Sequence, residues 1–298
     1  MADRAGSEGA KGSERQFGRG LARAFGGAIF FSLPLLMTME MWWLGFYMDR
    51  FRLTLFMLLM IPMLVGLDRY SGFKETSSWR EDAVDGIVAY GVGIVASTLA
   101  LLLLNIINSS MPMREVVGKI SLQAVAASFG AVLASSQLGG EKAESRAEAE
   151  GDGDGDGGAS EEEGRKEHAG YVAEIFFMAA GAVFFAFNLA PTEEMMVIAF
   201  KMTDWHALAL MVVSLLMIHA FVYAVNFHGA PGAPEGTPGW SLFLRYSLVG
   251  YAVALLISVY VLWTFGRYDQ LGFAAAVEMA VVLGFPASLG AAVGRLVL

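Results

Sequence analysis

From residue 21 onward the chain reads as long apolar runs with almost no charge inside them, divided by short polar stretches. A run of about 18 such residues crosses ~30 Å of hydrocarbon as a helix, so the pattern predicts transmembrane helices. Eight are expected, at about 21–44, 51–67, 82–107, 118–138, 170–190, 204–227, 240–264 and 272–294. The second is the shortest. The fourth is rich in Ala and Ser, which suits a helix facing protein rather than lipid. Strands have no place in such a chain, because an open sheet edge in lipid leaves backbone groups unpaired. The expected fold class is therefore all-α and transmembrane.

Residues 1–20 are rich in Gly, Ser and charge and read as a disordered, solvated arm. The apolar stretch that follows is too long for the h-region of a signal peptide. Lys and Arg set the orientation, being enriched in loops on the cytoplasmic side. Fourteen of the 20 fall on the N-terminal side of the eight-span arrangement, so both termini are expected in the cytoplasm of a multi-pass plasma (inner) membrane protein.

The chain repeats itself. Residues 27–48, GAIFFSLPLLMTMEMWWLGFYM, align without a gap on residues 181–202, GAVFFAFNLAPTEEMMVIAFKM, an offset of 154 with 10 of 22 positions identical. Shared apolarity would exchange one aliphatic for another; it would not align Thr38-x-Glu40-Met41 with Thr192-x-Glu194-Met195. Shorter echoes follow, Leu58–Ile61 with Leu215–Ile218 and Ala127–Ala131 with Ala287–Ala291. The expected organisation is a cytoplasmic arm (1–20), a four-helix repeat (21–138), an acidic cytoplasmic linker (139–169) and a second four-helix repeat (170–298). Four crossings is an even number. The repeats should therefore run parallel about an axis along the membrane normal, which sets Glu40 and Glu194 at one depth.

Composition agrees with this picture: 56% of the 298 residues are hydrophobic and 16% are charged, against about a quarter charged in soluble domains. The net charge of -9 is concentrated, with 11 acids and four bases in residues 141–167. The remainder is nearly neutral, and no basic face invites nucleic acid. The absence of Cys removes disulfides, thiolate metal sites and a Cys nucleophile.

A carboxylate near hydrocarbon costs ~2.5 kcal/mol or more and usually faces a cavity or a partner. Glu40 and Glu194, each two residues after a Thr, resemble a hard-cation site built from oxygen ligands. Thr38, Thr192, Glu193 and Glu278 join them as candidate cation ligands, with Glu40 and Glu194 the candidate metal ligands. The plain alternative is interfacial snorkelling or a salt bridge to Arg50, Arg52 or Lys201. His219, in the middle of LLMIHAFVYAV, is a candidate proton relay, or equally a neutral imidazole bonded to a neighbouring helix. Asn105, Asn108, Gln123 and Asn226 read as polar contacts between helices. Residues 152–163, DGDGDGGASEEE, match a calcium-loop spacing, but their low complexity favours a solvated linker. Gly290-x-x-x-Gly294 and the small residues around Gly130 predict close helix contact between repeats or protomers.

Enzyme motifs are missing: there is no H-E-x-x-H, G-x-S-x-G or phosphate loop. No cofactor is expected beyond a bound or transported Ca²⁺ or monovalent cation. The expected partners are the lipid bilayer and further copies of the chain, a homodimer being favoured. With LPLLMTMEMWW followed by TEEMM, the sequence resembles an uncharacterised family of prokaryotic multi-span integral membrane proteins, a domain of unknown function. The resemblance covers nearly all of the chain outside the arm and linker, and it implies a multi-span prokaryotic membrane protein without supplying an activity. Two functions remain: a cation channel or transporter with an external Thr-x-Glu site, or a non-transporting scaffold or sensor whose glutamates are paired structurally.

Overall fold

The computed structural model describes residues 2–70, 79–137, 159–223 and 239–297. All regular structure among them is helical. In chain order the helices are α1 (Ala2–Leu36), α2 (Met39–Tyr47), α3 (Arg50–Tyr70), α4 (Trp79–Leu103) and α5 (Met113–Gln137). After the acidic segment come α6 (Ala159–Leu189), α7 (Glu194–Lys201), α8 (Asp204–Tyr223) and α9 (Gly239–Leu242). A π-helical turn, Phe243–Leu248, leads into α10 (Val249–Thr264), and α11 (Phe273–Val297) ends the chain. Among the described residues seven helices are long and apolar enough to cross a membrane, or eight when α1 and α2 are counted as one broken span.

The N-terminal segment and the first span depart from expectation. Residues 2–20 are helical rather than disordered, continuing α1 backwards; their Ala, Glu, Lys, Arg and Gln content has good helix propensity despite the glycines. The first span does not run straight through 44. The chain bends by 88° between α1 and α2, and Thr38 takes an extended conformation at the corner. Pro34 lies within α1's last turn, where it lacks the N–H that would bond to the residue four back. Most of the acidic linker and the first part of the 152–163 motif lie outside the described residues, while 159–163 belong to α6.

The chain divides into two compact units: residues 1–37 with 59–157, and residues 38–58 with 158–298. The first 21-residue insert is notable, because α2 and the first half of α3 belong to the second unit.

In the first unit α5 is the central helix. Every residue from Ser121 to Val132 is buried, as its Ala/Ser-rich composition anticipates. α1 crosses α5 through Gly27 and Gly130, and a Cβ on either would collide with the other's carbonyl. α4 meets α5 where Gly93 lies against Ser128 and the Ala124 carbonyl. Gln123 donates to the Ser32 carbonyl at 2.8 Å, satisfying a buried amide between α5 and α1. Leu36, Leu101 and Ile107 close one end of this core.

The second unit repeats the device. α6 crosses α11 through Gly181 and Gly290, and Gly294 abuts the Phe177 carbonyl. The small-residue faces thus serve contacts inside each unit, where backbones approach closely, instead of the expected contacts between repeats or protomers. Phe56 of α3 stacks on Phe187 of α6 at 5.1 Å and 16°, with Tyr260 and Phe265 around them. This aromatic core holds the insert in place.

Candidate functional site

The two Thr-x-Glu segments occupy equivalent places, each where a long helix stops and a short one begins. In α2, Thr38 is the N-cap with φ -97° and ψ 118°, and its side chain makes no capping hydrogen bond to the helix. Glu40 follows in the first turn, half-buried. In the second segment Pro191 halts α6, since proline disfavours the helical conformation in the residue before it. Thr192 Oγ1 donates to the Leu189 carbonyl at 2.9 Å. Glu193 is the N-cap of α7 and Glu194 lies in its first turn, both exposed. All six residues of the two motifs, Thr38–Glu40 and Thr192–Glu194, fall in the second unit.

The surroundings are basic in a particular way. Arg267 sends Nε to the Ala190 carbonyl at 3.3 Å, Nη2 to the Pro191 carbonyl and Nη1 to the Met196 sulfur at 3.6 Å. The carbonyls at a helix C-terminus lack intrahelical donors and carry the negative end of the helix dipole, so a guanidinium there satisfies both needs. Arg267 is aimed by the turn before it. Gly266, at φ +70°, ends α10 in a Schellman motif, with its N–H on the Trp263 carbonyl at 3.0 Å and the Arg267 N–H on Leu262 at 2.9 Å.

Arg52, expected as one salt-bridge partner for the glutamates, is engaged with Asp269. Its Nη1 and Nη2 reach the two carboxylate oxygens at 3.1 and 2.9 Å. Nη1 also donates to the Trp263 carbonyl at 3.0 Å, and the guanidinium lies over the Trp263 ring. Asp49 accepts the Arg52 backbone N–H at 2.9 Å and so caps α3. Between the last two spans, Tyr268 is half-buried, its hydroxyl is shut off from solvent with no hydrogen-bond partner among the described residues, and burial pushes its pKa up to about 12.

Glu278 lies in the second turn of α11, half-buried. His219 sits in α8 with Nδ1 3.0 Å from Ser247 Oγ and its ring edge-on to Phe243. Ser247 and Phe243 both belong to the π-helical turn, a local widening that often marks functional positions. Asn105, expected as a contact between helices, instead takes a positive φ of 56° and ends α4 as Gly266 ends α10. No group of three or more His, Asp or Glu among the described residues is gathered closely enough to hold a metal ion.

Sequence reasoning missed Arg267 and Ser247 as neighbours of the candidate residues. Gly266 was a readable signal for the turn that presents Arg267; nothing local in the sequence announced Ser247.

A family model described as "Putative integral membrane protein (DUF2391)" matches residues 20–298. The chain belongs to this family, and its apolar helices are those of a multi-pass integral membrane protein in contact with the lipid bilayer. No curated protein and no solved structure matches the chain.

Proposed function

We propose that this member of the integral membrane family is a cation channel or transporter whose Thr-x-Glu segments handle the ion where long helices break. The observation that carries the reading is Arg267. A positive group already sits on the carbonyls that end α6, one turn from Thr192, Glu193 and Glu194. Broken helices of transporters use unwound carbonyls and half-helix C-termini for cations in the same manner. Glu40, half-buried at the other break, is the stronger candidate ligand of the two glutamates. Glu193 and Glu278 would add negative potential, and His219 with Ser247 would pass a proton if transport is coupled. Paired carboxylates suit Ca²⁺; K⁺ and Na⁺ fit the same oxygen chemistry.

The proposal includes two parallel repeats in a prokaryotic plasma membrane, with both termini cytoplasmic and a homodimer as the working assembly. Support for the repeats comes from element positions. α3 and α8 begin 154 residues apart, α5 and α11 begin 160 apart, and the Schellman residues Asn105 and Gly266 lie 161 apart.

A second reading, a non-transporting scaffold or sensor, is favoured by the first-turn positions of Glu40 and Glu194. There the positive end of a short helix stabilises a carboxylate by about 0.3–1 kcal/mol without any ion. Liposome flux of K⁺, Na⁺ and Ca²⁺ separates the two. Selective flux lost in Glu40→Gln/Glu194→Gln supports transport. Flux undiminished in that variant overturns the site, and no flux with any ion favours the scaffold or sensor.

A further inference from the structure

We infer that α2 and α7 are interfacial helices, lying in the headgroup region of the bilayer rather than crossing it or standing in water. Each has eight or nine residues, or ~13 Å of helix, far short of a span. The 88° turn after α1 sends α2 sideways from the helix that precedes it.

Both helices are apolar on the side turned away from their own unit. In α2, Met41, Leu44 and Gly45 are buried, while Met39, Trp43, Phe46 and Tyr47 form an exposed stripe at helical spacing. Trp43 is 55% exposed and Phe46 56%. In α7, Ala199 is buried; Val197, Ile198 and Phe200 are exposed, and Glu194 and Lys201 close the two ends. Large apolar groups so exposed need a partner other than water.

The occupant is the lipid surface, for two reasons. The neighbouring spans also begin with exposed aromatic rings, Phe51 on α3 and Trp205 on α8, the latter 80% exposed. Bilayer contact is already the established surface of those spans. The residue types are those of the interface as well. Trp and Tyr place an apolar ring among acyl chains and a polar edge among headgroups, and Glu40, Asp49, Glu194, Lys201 and Asp204 supply charge at the ends. Trp43 and Phe46 have counterparts 154 residues on in Val197 and Phe200, and all four are exposed. The inference holds whether or not the glutamates handle cations.

Because the chain contains no Cys, a single introduced Cys reports on one place. Trp43→Cys, Phe46→Cys, Val197→Cys and Phe200→Cys in the full-length protein would each be spin-labelled in vesicles of phosphatidylethanolamine and phosphatidylglycerol. Leu256→Cys, on the exposed side of α10, serves as the deep reference. Collisions with oxygen should exceed those with a water-soluble nickel complex at all four sites, at a depth shallower than at Leu256. Nickel-dominated collisions would overturn the inference by making these helices aqueous loops. Labels reached by neither agent would overturn it in favour of a second copy of the chain, and depth equal to Leu256 in favour of re-entrant segments. Met39→Cys and Ile198→Cys, exposed positions on the same two helices, replace any variant that fails to purify folded.

Discussion

The two Thr-x-Glu segments share their sequence and differ in how they end the helix before them. At the first, α1 stops at Leu36 and two residues suffice before α2 begins, with Thr38 extended. At the second, four residues intervene, Thr192 turns its hydroxyl back to the Leu189 carbonyl, and Arg267 holds the carbonyls of Ala190 and Pro191. Glu40 is half-buried and Glu194 exposed. The motif encodes where the helix breaks; the residues around it decide how the break is satisfied. Pro191 is one such residue, since Met37 stands in its place in the first segment.

What the halves share should be the least tolerant of change. Gly27→Leu and Gly181→Leu each force a side chain into a facing backbone, where even ordinary overpacking costs about 1–3 kcal/mol. Both variants should fail to give monodisperse protein in detergent, whereas Gly91→Ala, which meets nothing within 4 Å, should raise the melting temperature slightly. Tolerance of leucine at one glycine and not the other would break the equivalence of the two crossings.

Next in size is the flux test of the glutamates. The half-buried Glu40 should matter more than Glu194, so Glu40→Gln alone should reduce cation flux further than Glu194→Gln alone. Equal losses would mean that the two carboxylates act as one ligand set despite their different exposure.

Arg267→Ala should loosen only the second break. Loss of charge-assisted bonds to two carbonyls predicts about 1.5–3 kcal/mol of destabilisation, read as a lowered melting temperature. Arg267→Lys should recover part of it, because an ammonium can reach one carbonyl but lacks the planar fork. An unchanged melting temperature in Arg267→Ala would leave the α6 break without its cap.

The smallest effect concerns Tyr268. Its folded pKa, about 12, lies above the ordinary 10, so burial favours the neutral phenol in the folded protein. The unfolded chain ionises first as pH rises, and the stability held below pH 10 is lost progressively up to about 12. Tyr268→Phe should flatten that alkaline decline in a melting-temperature profile, with little change near pH 7. An unaltered profile would place the decline elsewhere.

The spans and the glycine faces were legible in the sequence because they rest on composition, which hydrophobicity and side-chain size report directly. The break at Thr38 was not. The apolar run passes through LLMTMEMWWLGF without interruption, and hydropathy carries no information about the direction of a chain. Pro34 and the N-cap Thr38 were the local signs, each common inside ordinary spans. The roles of Arg52 and Arg267 were illegible for a different reason. Arg52 meets Asp269 across 217 residues and Arg267 meets Ala190 across 77, and charges at such separations can be paired only once the fold is known. For His219 the two readings stay together: Ser247 supplies the neighbouring-helix bond and also the group that a relay would need.

The division of α3 between two units has a consequence for the order in which this protein can be made. Residues 38–58 leave the ribosome early, yet Phe56 packs on Phe187, and the clamp on Arg52 needs Asp269. The first half of the chain must therefore enter the membrane with one strip of its surface unmatched, and wait until most of the second half has been synthesised. Assembly of the insert is a late event imposed on an early segment, and any factor that shields apolar helices during membrane insertion would have its longest task there.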